Sequence, residues 1–367
     1  MKPRRIIFAG GGTGGHLFPA FALAEEFQRR FPGNCEIRFF VSGRELEERL
    51  VSERHYRRHR LHLRGIKRGT VAGNVVFPLL LGYSLLEAII YIIRFNPDFV
   101  VGTGGYLSFP AVLAAKMTNR PAFIQEQNSH AGIATRRAAR FADLIFIAYE
   151  DIGRQVQWLE KCVLSGNPVR PGFGELEPEA ARAKLGLAPD KETVLIVGGS
   201  QGAASINQKI RSQLEIYGKW QRRQLLWQVG ADEELSREFA TSQTYGKVTS
   251  FIDDMAAAYA AADLVVCRAG ALTLAELTAA GKPAILVPYP HATDDHQTKN
   301  AQALVEAGAA ELIADSDLRD FDLAGRIDKL LNDPTQLLQM SMSASSLGRQ
   351  NAAEVIVQRI CEYMGWR

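Results

Sequence analysis

Short β-branched and aromatic runs alternate along the whole chain with longer amphipathic stretches. The runs are Ile6 to Ala9, Ile37 to Val41, Phe99 to Val101, Ala122 to Gln125, Leu144 to Ile147, Val194 to Val197, Leu225 to Val229, Leu264 to Cys267 and Ala284 to Val287. Such alternation predicts an α/β chain of parallel sheets flanked by helices. Between Leu164 and Pro171 the residues Leu-Ser-Gly-Asn-Pro-Val-Arg-Pro concentrate turn formers, which places a boundary there between a domain over 1–165 and a second over 166–347. Each half opens with a strand running into a glycine-rich turn, Gly10 to His16 in one and Gly198 to Ala203 in the other. The segment Asp98-Phe-Val-Val-Gly-Thr-Gly-Gly105-Tyr-Leu107 is also echoed by Asp263-Leu-Val-Val-Cys-Arg-Ala-Gly270-Ala-Leu272. Two similar Rossmann-like domains facing across a cleft are therefore expected.

Length agrees, since 367 residues suit two domains of about 150 residues each. With 47% apolar and 23% charged residues, disorder is excluded as the main state. Four scattered cysteines (Cys35, Cys162, Cys267, Cys361) form no Cys-x-x-Cys pair, and no secretory signal precedes Ile6, so a reducing cytosolic compartment is expected. The net charge of +3 hides an asymmetry: residues 1–168 carry 23 Lys/Arg against 14 Asp/Glu. The excess peaks at Arg54-His55-Tyr56-Arg57-Arg58-His59-Arg60 and continues through Arg64, Lys67 and Arg68, which suits phosphates of nucleic acid or of a lipid surface.

The next segment decides between them. Residues 75–93 form a 19-residue run with one charge, Glu87, nearly long enough as a helix to span a bilayer. Pro78, Gly82, Ser84 and the mid-run carboxylate oppose spanning. A core helix is the plain alternative. A helix partly exposed as a membrane-dipping patch of Phe77, Leu80, Leu81 and Leu85, beside Arg64, Lys67, Arg68 and Arg94, accounts for both features together. The expected partner is thus an anionic lipid surface and not nucleic acid.

A glycine turn between strand and helix exposes N–H groups at the positive end of the helix dipole, where phosphate oxygens can approach. Three such turns follow strands here, at 10–15, 102–105 and 198–202. The first matches Gly10-x-Gly12-x-x-Gly15, yet the second strand ends Val41-Ser42-Gly43-Arg44 without the acidic residue that holds a ribose, which disfavours NAD and leaves NADP only through Arg44. Three cradles exceed the need of one diphosphate and suit a protein handling two pyrophosphate compounds.

Seven motifs carry a family resemblance: Gly11-Gly-Thr-Gly-Gly-His16, Gly102-Thr-Gly-Gly-Tyr106, Gln125-Glu-Gln-Asn128, Gly166-Asn-Pro-Val-Arg170, Gly198-Gly-Ser-Gln-Gly202, Arg268-Ala-Gly-Ala-Leu-Thr-Leu-Ala-Glu276 and Asp294-Asp-His-Gln297. Over nearly the whole chain, and in the same order, they resemble the MurG family of bacterial UDP-N-acetylglucosamine:lipid I N-acetylglucosaminyltransferases. The resemblance implies a GT-B fold and inverting transfer of N-acetylglucosamine (GlcNAc) to the 4-hydroxyl of MurNAc in lipid I. It implies that the last amphipathic stretch, about 348–367, crosses back to complete an N-terminal acceptor and membrane domain, leaving donor binding to the C-terminal one.

For the donor it implies Thr13, Gly14, Gly15, Asn128, Arg170, Ser200, Gln201, Ile252, Glu276, His296 and Gln297, with Glu276 on the ribose hydroxyls, Gln297 on the sugar and Asn207 as a weaker neighbour. Relatives place a glutamine where this chain has His296, and Ile252 suits plain core equally well. The acceptor falls to Gly12, Gly104, Gly105 and Tyr106. As base it implies His16, histidine being the residue type suited to proton transfer near working pH, with Glu126 at a strand end as the alternative and Asn128 and Tyr106 as orienting partners. The pairs Asp315-Ser-Asp317 and Asp320-Phe-Asp322 read as solvated loop or helix caps, so no metal and no cofactor is expected. Partners implied are UDP-GlcNAc, lipid I, anionic lipids at the cytoplasmic face of the inner (plasma) membrane, and proteins of a cell-wall synthesis or division complex. The competing readings are a UDP-GlcNAc 2-epimerase and a non-enzymatic membrane adaptor.

Overall fold

A computed structural model describes residues 2–12, 14–65, 76–170, 172–199, 202–239 and 245–366. They form two compact units, Met1–Val169 with Asn351–Arg367, and Arg170–Gln350. The first unit holds β1 (Arg4–Ala9), β2 (Cys35–Val41), β3 (Arg57–Arg60), β4 (Phe99–Gly102), β5 (Ala122–Glu126), β6 (Leu144–Ile147) and β7 (Cys162–Leu164). These pair in parallel in the order β3-β2-β1-β4-β5-β6-β7. The second holds β8 (Glu192–Val197), β9 (Arg223–Gln228), β10 (Gly246–Thr249), β11 (Leu264–Cys267), β12 (Ala284–Leu286) and β13 (Ala310–Leu312), parallel in the order β10-β9-β8-β11-β12-β13. Each is a doubly wound α/β sheet of the expected class. Strand order reverses between β1 and β4 and between β8 and β11, and open sheets of this kind bind ligands outside the carboxyl ends at that reversal.

The repeated aspartates do the same local work in both sheets. Asp98, just before β4, accepts the Arg5 N–H of β1 at 2.7 Å. Asp263, just before β11, accepts the Thr193 N–H of β8 at 2.6 Å. The echo therefore records a structural brace at the amino end of the fourth strand, opposite the ligand edge.

In the first unit Phe8 stacks on Phe39 with ring centroids 5.5 Å apart, and the helix Gly14–Arg30 buries Leu17, Phe21, Leu23 and Phe27 against the same face. The C-terminal helix Ala352–Met364 adds Ile356, Val357, Ile360 and Cys361 to that core. Each fully buried aliphatic side chain contributes about 1.5–3 kcal/mol, so this apolar face ties the helix to the unit. The Arg29–Glu354 ion pair at 2.9 Å has side chains 65% and 59% exposed and adds little.

The apolar stretch forms a helix, Phe77–Phe95, with Pro78 in its first turn and Asn96 as a left-handed C-cap. By length and composition it is apolar enough to cross a membrane. It nevertheless buries Ser84, Ala88, Ile92 and Phe95, the last three in the core of the first unit, and packs along the helix Ser108–Met117. Glu87 is bound by His62, whose backbone N–H (2.9 Å) and Nδ1 (2.7 Å) meet its two carboxylate oxygens. The expected patch requires correction: Phe77, Leu80, Leu81 and Leu85 are only partly exposed and pack against the core. The outward stripe is Leu79, Tyr83, Leu86, Ile90 and Ile93, spaced as one helical face. Arg64 and Arg94 are exposed, whereas Lys67 and Arg68 lie outside the described residues.

Candidate active site

At the carboxyl edge of the first sheet the two glycine turns press together beside the β1/β4 reversal. Gly104 has φ +99°, and a Cβ there would lie 2.5 Å from His16 Nδ1, so only glycine lets the second turn reach the histidine ring. Thr103 Oγ1 donates to the His16 carbonyl at 2.7 Å, and His16 Nδ1 lies 3.0 Å from Gln127 Oε1. Tyr106 packs over Gly12, where a Cβ would lie 3.1 Å from its ring. The structure thus gathers Gly12, His16, Gly104, Gly105 and Tyr106 at one place.

Two of the expected phosphate donors are already engaged. The Gly12 N–H donates to Glu47 Oε1 at 2.5 Å, and the Gly104 N–H donates to Ser108 Oγ at 2.8 Å. Glu47 is 1% exposed, and its other oxygen accepts from the Ser42 N–H at 2.6 Å and Ser42 Oγ at 2.8 Å. An internal carboxylate therefore fills the place where the expected cradle would hold a phosphate at Gly12. The helix from Gly14 keeps its first-turn N–H groups, those of Gly14 and Gly15 among them, at this edge.

Glu126 has a structural task. Its carboxylate accepts from the Asn128 N–H and Nδ2 (both 3.1 Å), the Gly132 N–H (3.2 Å) and Thr135 Oγ1 (2.5 Å). It is 2% exposed. Four donors converge on a buried carboxylate that braces the loop after β5, with Asn128 as one of its ligands, and this geometry weighs against Glu126 as a proton acceptor.

In the second unit Arg170 Nη2 and Nε donate to Glu276 Oε1 at 2.9 and 3.2 Å. Glu276 is 4% exposed on the helix Ala271–Ala279. Burial pushes its carboxyl above the ordinary glutamate value, and Arg170 beside it pulls it back down. Arg170→Ala should therefore raise that pKa further. In the mutant the folded state binds its proton more tightly than the unfolded chain does, so stability falls as pH rises. We expect a loss of about 3 kcal/mol at neutral pH, partly regained on acidification. Melting curves of the variant and the wild type across that range check it.

Gln228 Nε2 donates to the Gly199 carbonyl at 2.9 Å and its Oε1 accepts the Ile252 N–H at 2.9 Å; Ile252 itself is buried. Asn207 is buried as well, bonded to the Val229 carbonyl and Trp227 Nε1. Gln297, in the first turn of the helix His296–Glu306, accepts the Tyr289 N–H at 2.9 Å. Arg268 staples this edge, donating to the Val287 and Pro288 carbonyls at 3.1 and 3.0 Å and to Ser205 Oγ at 2.9 Å, with Asp315 as its ion-pair partner. Asp322 caps the helix Leu323–Leu331. Among the described residues no group of three or more His, Cys, Asp or Glu is placed to hold a metal.

Thr13, Ser200 and Gln201 lie outside the described residues. Glu47, Gln127 and Gln228 were missed by sequence reasoning. Gln127 lies within the motif Gln125-Glu-Gln-Asn128, but Glu47 reads as one of several surface glutamates on a short helix.

The family models match both units: the glycosyltransferase family 28 N-terminal domain over residues 6–147 and the C-terminal domain over 193–360. A relative from Chlorobium phaeobacteroides (strain DSM 266), named UDP-N-acetylglucosamine--N-acetylmuramyl-(pentapeptide) pyrophosphoryl-undecaprenol N-acetylglucosamine transferase, is 41% identical over 361 residues, covering 97% of this chain and 98% of its own. The crystal structure of MurG from Acinetobacter baumannii matches with TM-score 0.74 at 28% identity, over 98% of this chain and 100% of that one. A UDP-N-acetylglucosamine 2-epimerase matches with TM-score 0.64 at 16% identity, over 100% of this chain and 98% of that one; that likeness is one of fold alone.

Proposed function

The chain belongs to glycosyltransferase family 28, and from that premise we infer that it transfers GlcNAc from UDP-GlcNAc to lipid I, giving lipid II for peptidoglycan synthesis. The observation that carries this is 41% identity sustained over 97% of the chain to a transferase of that activity. UDP-GlcNAc should accordingly raise the melting temperature, as a ligand of the native state does. A membrane adaptor should not respond.

In the proposed mechanism the acceptor 4-hydroxyl attacks the anomeric carbon of the donor sugar, the bond from that carbon to the diphosphate breaks, and UDP leaves. His16 takes the hydroxyl proton. The N–H groups of Gly14 and Gly15 at the helix N-terminus, with Thr13, take up charge developing on the diphosphate. On the donor side we assign Glu276 to the ribose hydroxyls, Arg170 to holding that carboxylate ionised, and Ser200 and Gln201 to the diphosphate. Gln297 and His296 fall to the sugar, and Ile252 and Asn128 to shaping its surroundings. For the acceptor, Gly105, Tyr106 and the free edge of His16 remain, because the N–H groups of Gly12 and Gly104 are bonded within the chain.

We assign membrane contact to the outward stripe Leu79, Tyr83, Leu86, Ile90 and Ile93 on the cytoplasmic face of the inner membrane, with positive charge from the exposed Arg64 and Arg94 and, on the sequence alone, from Lys67 and Arg68. Each basic residue near an anionic surface adds about 1 kcal/mol. Leu86→Asp should release the protein from anionic vesicles without lowering its melting temperature, because Leu86 is 54% exposed. High salt should release the wild type. Co-sedimentation with a thermal melt checks both, and a folded protein indifferent to lipid, salt and substitution would remove the patch. Proteins of a cell-wall synthesis or division complex remain proposed partners.

A further inference from the structure

Buried amides form a one-way chain of hydrogen bonds that ends on the His16 ring. Asn167 Nδ2 donates to the Gln127 carbonyl at 2.9 Å, so its Oδ1 is the atom left facing Gln125, whose Nε2 donates to it at 2.9 Å. That fixes Gln125 Oε1 toward Gln127, and Gln127 Nε2 donates to it. The same Nε2 meets the carbonyls of Thr103 at 2.8 Å and Gln125 at 3.1 Å. Reversing the Gln127 amide would aim its oxygen at three other oxygens. Gln125, Gln127 and Asn167 are each at most 5% exposed, so water does not offer a substitute partner at ordinary cost.

With Gln127 Nε2 committed to those acceptors, Oε1 is what faces His16 Nδ1 at 3.0 Å. A carbonyl oxygen only accepts, so Nδ1 must carry the hydrogen, and in the neutral ring Nε2 is then the lone-pair nitrogen. Among the described residues Nε2 has no hydrogen-bond partner. We propose that Gln127, held by Gln125, Asn167 and the Thr103 carbonyl, is a positioning residue that fixes His16 in the Nδ1–H tautomer and so presents Nε2 as the proton acceptor. The second half of this rests on the assignment of His16 as the base. The relay begins at Asn167, three residues before Arg170 opens the second unit.

The test uses the full chain with 15N-labelled histidine, at a pH where His16 is neutral, with the His16 signals identified by their loss in His16→Gln. Long-range proton–nitrogen correlations should show wild-type His16 as the Nδ1–H tautomer. In Gln127→Met, which keeps length and removes the acceptor, the population should move toward Nε2–H. The kcat should fall by about tenfold or more with the donor KM unchanged, since a misassigned tautomer disables a histidine base. Gln127→Glu keeps an oxygen toward Nδ1 and should hold the Nδ1–H tautomer, at a cost in stability because its second oxygen meets the three acceptors that Nε2 served. Wild-type His16 in the Nε2–H form, or a tautomer unmoved in Gln127→Met, overturns the relay. A tautomer that moves while kcat does not would uphold the relay and remove His16 from the base role. If Gln127→Met fails to fold, the wild-type spectrum decides alone.

Discussion

His16→Ala is expected to lower kcat by about two orders of magnitude or more, the scale of losing a general base, while UDP-GlcNAc binds nearly as before. Thermal stability should change little. His16 is half-buried at the edge of the sheet, with Nδ1 bonded to Gln127 and its ring beside the Gly104–Gly105 turn. Glu126 provides the contrast. Its carboxylate accepts four hydrogen bonds from the 128–135 loop, so Glu126→Gln places an amide N–H against a donor and should cost about 1–3 kcal/mol of stability. A loss of rate in Glu126→Gln that tracks a lowered melting temperature fits a brace. The reverse pattern, with a stable and inactive Glu126→Gln beside a near-normal His16→Ala, would transfer the base role to Glu126.

Glu276→Ala should reduce kcat/KM for the donor by about tenfold or more, roughly 1.4 kcal/mol, with the acceptor KM barely moved. A carboxylate can accept from both ribose hydroxyls at once, and Arg170 Nε and Nη2 both donate to Oε1 of Glu276. The sharper readout is the 2′-deoxy donor. Wild type should discriminate against it, whereas Glu276→Ala, having lost the acceptor for that hydroxyl, should treat both donors alike. Equal discrimination by both enzymes would place the ribose elsewhere.

The sheet class and the pair of Rossmann-like units were legible because central parallel strands are covered on both faces and read as continuous apolar runs. The four strands that patterning did not mark, β3, β7, β10 and β13, are the two edges of each sheet. All four are only three or four residues long, too short for a pattern, and β3 is charged besides, since charge at an edge blocks pairing with another chain. Arg57-Arg58-His59-Arg60 therefore read as a basic run and is also β3. The helix Phe77–Phe95 was visible, but which of its faces turned inward was not. It is apolar nearly all round, and only burial of Ser84, Ala88, Ile92 and Phe95 in the folded unit selects the face.

The site was legible where chemistry leaves a local pattern, as in the glycine turns and the strand end at Glu126. It was illegible where a partner comes from a distant residue. Glu47 is 35 positions from Gly12 and Gln127 is 111 from His16, and nothing in the local sequence announces either bond. The motif residues nonetheless stood where the network later proved dense. Gln125, Gln127 and Asn167 all fall within motifs that carried the family resemblance, although patterning alone assigned them no task.

Transfer of radiolabelled GlcNAc from UDP-GlcNAc onto a lipid I analogue tests the central claim most directly. The label should appear in a lipid-linked disaccharide with one UDP released per sugar moved, and His16→Ala should slow transfer by about two orders of magnitude or more. Conversion of the donor to its 2-epimer, or consumption of UDP-GlcNAc with no label in the lipid product, would contradict it.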